Sequence, residues 1–338
     1  MYVSAGGPYH NSFHPFFTAG YEERMQIRST SNRVCWTALA GVVLMGFVLP
    51  AIGLLYLKSI GFPISGKASF DGMSPVMYYL LVGVDYVVGM ALPAFLYFSA
   101  ERMPLSQGIP FRKISVEEIA LYVAFGSMIC ILANYPANLV SKIQEFFGFS
   151  GSLPEMQLNN DPRVLVLYGF SVVIIPPLVE EVMFRGVILQ SLRRYGDGFA
   201  VLVSAILFGL YHGNFIQMVF AFLSGLALGY AVIRTGSLLP SILIHFINNA
   251  VSFAVEIVSR FYGQSMANYV DNIAALTLIV LGVGATCVLA VRHKLFSGKR
   301  SGSVLPFSAR MGAAFGNAGA ICFLLYAIVS SVSTLRHG

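Results

Sequence analysis

The sequence predicts an all-α protein, a polytopic bundle of about eight or nine transmembrane helices. Three observations carry this. Of 338 residues, 57% are hydrophobic and only 11% charged, against about 25% charged in a soluble domain, so the charges are too few to cover a water-facing surface. Mean hydropathy is +0.74. Nine apolar segments approach or exceed the length of about 20 residues that a bilayer crossing needs.

The segments run over roughly 34–57, 75–98, 116–140, 163–192, 198–212, 215–234, 237–259, 270–291 and 312–333. The first follows a polar stretch, 1–33, expected to be a flexible cytoplasmic tail. It starts too late and runs too long for a cleaved signal. The second holds an intramembrane acid, Asp85, expected to serve packing. The fourth is interrupted by Pro176-Pro177, which lack two backbone donors and predict a kink or a restart. After a restart, Glu180 and Glu181 would lie in a first turn, where the helix dipole favours negative charge. The fifth is short and ends on His212. The seventh carries His245 and Asn249, and the ninth is rich in Gly and Ala. Connections are short, so 34–338 reads as one transmembrane domain. The four cysteines fall within apolar runs and read as small buried hydrophobes.

The net charge of +6 does not point to nucleic acid. The basic residues lie between apolar runs, without interleaved aromatics, and act as topology signals. With the N-terminus inside, the cytoplasmic side holds Arg24, Arg28, Arg33, Arg102, Arg112, Lys113, Arg193, Arg194, Arg234, Arg292, Lys294, Lys299, Arg300 and Arg310. The other side holds Lys58, Lys67, Lys142, Arg163, Arg260 and Arg336. That bias predicts a multi-pass membrane protein, in the plasma membrane if bacterial, with its N-terminus in the cytoplasm.

The polar residues of the fourth, fifth and seventh segments carry the chemistry. Each charge at mid-bilayer costs about 2.5–3.5 kcal/mol on insertion scales, and "EEVMFR" (180–185) places three within six residues. Glu181 and Arg185 are spaced i, i+4 and share a helix face, as an ion pair would require. Glu180 is turned about 100° away and stays free. His245 and Asn249 are again i, i+4. Singly, these groups suit interhelical hydrogen bonds or a structural pair. Together they suggest one cavity. A carboxylate in a dry site takes a proton from water, an imidazole orients that water, and a second imidazole with a carboxamide donates to an oxyanion. Two histidines and a carboxylate are also the ligand types of a hydrolytic zinc site. Residue types alone leave both open.

In chain order, EExxxR at 180–185, FxxxH at 208–212 and HxxxN at 245–249 resemble the CPBP family, also called the ABI or CAAX prenyl protease 2 (Rce1-type) family. The resemblance covers about 160–260, with the family core at about 116–260. It implies an intramembrane endopeptidase with a conical catalytic cavity. It further implies Glu180 as general base with His212, and His245 and Asn249 as the oxyanion hole. Glu181 and Arg185 would be supporting residues and Phe208 a packing aromatic. No cofactor is required on the preferred, metal-independent mechanism. Zinc is the alternative, held by Glu180, His212 and His245. The implied partners are the bilayer and a peptide or protein substrate, lipidated in CaaX-type relatives; other relatives serve bacteriocin or peptide processing and self-immunity. There is no HExxH and no GxGD, and "FLSG" (222–225) lacks the first glycine of GxSG. Two further readings compete: a proton-coupled transporter, disfavoured by the lack of a second broken helix, and a catalytically silent scaffold.

Overall fold

The computed structural model describes residues 15–62, 73–151, 160–295 and 302–337. Among them, seven helices are long and apolar enough to cross a membrane, and a bent pair makes an eighth span. The protein is a polytopic helical bundle. Its large outward side chains, such as Leu276, Val280 and Leu281, stay exposed, as lipid contact requires.

The first span is α1 (Pro15–Val43), a π-helical stretch (Leu44–Val48) and α2 (Leu49–Ser59). Helix α3 (Pro75–Ala100) returns, and a short α4 (Leu105–Gly108) leads to α5 (Val116–Phe146). The fourth span joins α6 (Pro162–Gly169), a π stretch (Phe170–Ile174), α7 (Ile175–Glu181), a second π stretch (Val182–Ile188) and α8 (Leu189–Leu192). Helices α9 (Asp197–Tyr211), α10 (Phe215–Thr235), α11 (Leu239–Tyr262) and α12 (Gln264–Val291) follow. The bent pair is α13 (Phe307–Phe315) and α14 (Ala318–Ser333), at 73° to each other. Strands β1 (Phe149–Gly151) and β2 (Leu335–His337) pair antiparallel and tie the end of α5 to the C-terminal segment.

The span ends are set by polar caps. Ser74, Ser115, Asp161, Asn214 and Asn317 each accept a backbone N–H of the helix they open, worth about 1 kcal/mol each. At half-buried Asp161 the hydrogen bonds from Arg163 also hold the carboxyl below its ordinary value.

Two expectations are corrected. Residues 15–33 were expected as part of a flexible tail, but they are helical, and Ile27, Thr30 and Ser31 are buried. They pack on the C-terminal pair, where the Ser31 hydroxyl donates to Ala314 O at 2.6 Å and Gly319 N donates to Asn32 Oδ1 at 2.8 Å. Residues 1–14 lie outside the described residues. Nor does the fourth span restart at Pro176-Pro177. A π stretch before the prolines absorbs the missing donors, the helix runs on, and Glu180 and Glu181 end α7, six and seven residues in. Pro50 follows the π stretch of the first span in the same way.

Close helix approach depends on glycine where helices α5 and α12 meet. A Cβ on Gly282 would lie 2.2 Å from Met128 Cβ, whereas one on Gly284 meets nothing within 4 Å. Overpacking such a contact costs about 1–3 kcal/mol. Gly282→Val is therefore expected to lower the detergent unfolding temperature measurably, and Gly284→Val to leave it unchanged.

Candidate active site

A cavity of about 550 Å³ lies between α3, α5, the fourth span, α10 and α11. Glu180, His212, His245, Asn249 and Phe208 all line it. The residues singled out from the sequence thus converge, while Glu181 and Arg185 lie behind the wall, fully buried at 0% exposure.

These last two form the foundation. Arg185 Nη1 donates to Glu181 Oε1 at 2.9 Å, one turn along the helix. The same oxygen is 3.1 Å from His245 Nδ1. A carboxylate only accepts, so Nδ1 carries the proton. That fixes the ring, and His245 Nε2 faces the cavity, 3.9 Å from Glu180 Oε2. The Arg185 guanidinium stacks 4.2 Å from the centre of the Phe208 ring. Edge-on to that ring stand His212 and His245, at 4.9 and 5.9 Å. Phe208 therefore packs against the cation and both imidazoles.

Glu180 is 3% exposed. Its Oε1 accepts a hydrogen bond from the Tyr86 hydroxyl. Its Oε2 accepts none from the protein among the described residues. The two oxygens therefore differ: one is held, and the other is presented to the cavity beside an imidazole.

His212 owes its place to a short helix. Fifteen residues of α9 rise only about 22 Å, less than the hydrocarbon core of about 30 Å. The chain turns within the membrane through Gly213, at φ +56°, and Asn214 caps α10. In the turn, His212 Nδ1 lies 2.8 Å from Phe208 O. A carbonyl only accepts, so Nδ1 is again the protonated nitrogen and Nε2 is left with a lone pair.

Asn249 is placed by the prolines. In a helix, Val172 O would accept from residue 176 or, in π geometry, from residue 177, and both are Pro without an N–H. In lipid such a carbonyl must find a partner within the protein. Asn249 Nδ2 supplies it at 2.9 Å. Its second amide hydrogen is not needed there.

Tyr86 is the residue the sequence reading missed. Its signal was the spacing Gly83, Tyr86, Gly89, one helix face on which two glycines allow close approach. A Cβ on Gly89 would lie 2.7 Å from Met45 Cβ and one on Gly83 would lie 3.3 Å from Ile175 Cδ1. Asp85, one residue away, does not line the cavity.

Zinc fits this site in donor type but not in spacing. Both imidazoles are anchored through Nδ1, as ligating histidines are. Yet among the described residues no three His, Cys, Asp or Glu groups lie close enough together to hold a metal ion. A second cavity, about 430 Å³, is lined by Arg102, Arg193 and Arg194 without an imidazole. Its one carboxylate, Glu101, is bound by Arg33 at 3.1 Å, so it lacks the groups for hydrolysis.

Residues 162–251 match the family model described as type II CAAX prenyl endopeptidase Rce1-like. This segment is similar to the Rce1-like family. The match takes in all three motifs and the six polar residues singled out from the sequence, Glu180, Glu181, Arg185, His212, His245 and Asn249. No curated protein and no solved structure matches the chain. The spans before α6 and after α11 lie outside the Rce1-like segment, yet α3 supplies Tyr86 to it.

Leaving one member of a buried ion pair alone costs about 3–5 kcal/mol. Arg185→Met is expected to lower thermal stability in detergent by that order. The double variant Glu181→Gln/Arg185→Met should recover part of the loss, which a double-mutant cycle on unfolding temperatures would read.

Proposed function

We propose that this chain is an intramembrane endopeptidase that cleaves a peptide bond with water activated by Glu180, without a metal. The observation that carries this reading is the unshared Oε2 of buried Glu180, turned to His245 Nε2 at 3.9 Å inside the cavity. The Rce1-like match supports the same class of reaction.

In this reading, water sits between Glu180 Oε2 and the lone pair of His212 Nε2. Glu180 takes its proton as the oxygen attacks the scissile carbonyl carbon. The carbonyl oxygen gathers negative charge and accepts from His245 Nε2–H, with that ring protonated on both nitrogens, and from the free amide hydrogen of Asn249. Glu180 then passes its proton to the departing amine nitrogen as the C–N bond breaks. Tyr86 keeps Oε1 occupied, so that Oε2 is the atom that shuttles the proton. The apolar walls, including Phe208, Phe220 and Phe253, exclude bulk water, which strengthens each of these interactions.

The test is cleavage of a reporter peptide by the purified protein in detergent. General-base catalysis is worth about 10²–10⁴-fold, so Glu180→Gln should reduce turnover by at least that lower bound without unfolding the protein. Asn249→Ala should reduce it by up to about 10²–10³-fold. A zinc chelator should leave the rate unchanged. Turnover that survives Glu180→Gln would remove the carboxylate from the reaction, and loss of activity on chelation would replace the metal-free route.

A further inference from the structure

The cavity is polar on one side of Glu180 and sealed on the other. Toward the helix ends Phe146, Pro162 and Tyr262, its wall carries Asn134, Asn138, Ser252 and Glu256. The first three are exposed. Asn138 lies eight residues before the end of α5 and Ser252 ten before the end of α11, about 12 and 15 Å by helical rise. Glu256 is held at that mouth by the Tyr168 hydroxyl at 2.6 Å. In the other direction the fourth span continues through Phe184, Val187, Ile188, Leu189 and Leu192, all at 0% exposure. The polar side chains of that stretch, Arg185, Gln190 and Ser191, are buried and turned to partners within the protein, Glu181, Arg185 O and Val187 O.

The two ends of the bundle also differ in charge. The plugged end is held together by Leu238 N donating to Pro110 O at 2.8 Å and by Arg292 donating to Glu117 at 2.7 Å. Among the described residues, that end carries twelve Lys and Arg and the mouth end carries five. Two of those five, Arg163 and Arg260, bond Asp161 and Asn160. Basic residues on short connections mark the cytoplasmic face.

Resting on the peptidase reading, we infer that the cavity opens to the extracytoplasmic side, so that its substrate is a peptide segment presented from that face. The polar mouth hydrates an unfolded peptide backbone as it enters, Asn134, Asn138 and Ser252 offering donors and acceptors to amide groups that lipid would leave unsatisfied. A chain presented from the cytoplasm meets the dry plug and the arginine-bearing end instead. This separates the protein from one acting on the C-terminus of a cytoplasmic, lipidated protein.

The experiment labels single cysteines with a membrane-impermeant maleimide, in full-length protein whose four native cysteines are replaced by alanine. Asn138→Cys and Ser252→Cys report the cavity, Lys142→Cys the mouth end and Lys113→Cys the plugged end. The expected result is labelling of the first three in intact cells, with Lys113→Cys labelled only in inside-out vesicles. Asn134→Cys replaces either cavity variant that fails to fold. Cavity positions labelled only in inside-out vesicles, or from neither side, overturn the inference. The readout needs no catalysis. Labelling from outside without peptide cleavage would sink the peptidase reading and leave the sidedness standing, and cleavage with labelling from inside would do the reverse.

Discussion

The Glu181–Arg185 pair is the interaction on which the rest of the site depends. Both side chains are fully buried, where neither charge is tolerable alone. The pair uses this constraint. Because Glu181 Oε1 must be compensated, it draws both the guanidinium and the imidazole of His245, and that second contact turns Nε2 toward Glu180. Arg185 in turn lies on Phe208, whose edges meet both histidines. One buried carboxylate thus sets the orientation of groups from α9 and α11 that lie far apart in sequence. Adjacent glutamates achieve this because successive residues on a helix point about 100° apart: Glu181 faces the protein and Glu180 faces the cavity.

A second constraint is that lipid offers no hydrogen bonds, so every carbonyl that a proline frees must be satisfied from within. At Val172 the satisfying group is Asn249, which couples the bend of the fourth span to the position of α11. The next π stretch obeys the same rule. Phe184 O accepts from the Ser204 hydroxyl at 2.7 Å and Arg185 O from Gln190 Nε2 at 3.0 Å. In the span that bears the two glutamates, irregular helix thus flanks α7 on both sides, where it rotates their faces relative to an unbroken helix.

Much of the fold was legible because lipid imposes long apolar runs, and these set the segments in order, including the short fifth one. The Glu181–Arg185 pair and the convergence of Glu180, His212 and His245 were legible from i, i+4 spacing and from the cost of burying charge. What depends on three-dimensional contact was not. The prolines announced a disturbance, but whether a helix breaks or shifts to π geometry depends on who takes the freed carbonyl, and Asn249 lies 77 residues away. Tyr86 belongs to no charged pattern, and the acid beside it, Asp85, was the more conspicuous residue. Residues 15–33 look like a polar tail because their partners, Ala314 and Gly319, come almost three hundred residues later.

The spans outside the Rce1-like segment act on the site through the turn at His212. A turn inside the hydrocarbon leaves backbone groups to be satisfied and a left-handed residue to be shielded. Helix α14 does both. Asn214 Nδ2 donates to Thr334 Oγ1 at 3.2 Å and the Tyr326 hydroxyl to Tyr211 O at 3.4 Å. A Cβ on Gly213 would lie 2.4 Å from Ser330 Oγ, so the helix is packed directly on the turn. From the opposite side, Met45 and Met90 of the first two spans receive the Tyr211 hydroxyl, at 3.7 and 3.3 Å, and Tyr86 reaches Glu180. Helix α1 and the α13–α14 pair hold one another through Ser31 and Asn32. The terminal spans therefore form a clamp around a helix too short to cross the membrane alone, and they fix the imidazole at its end.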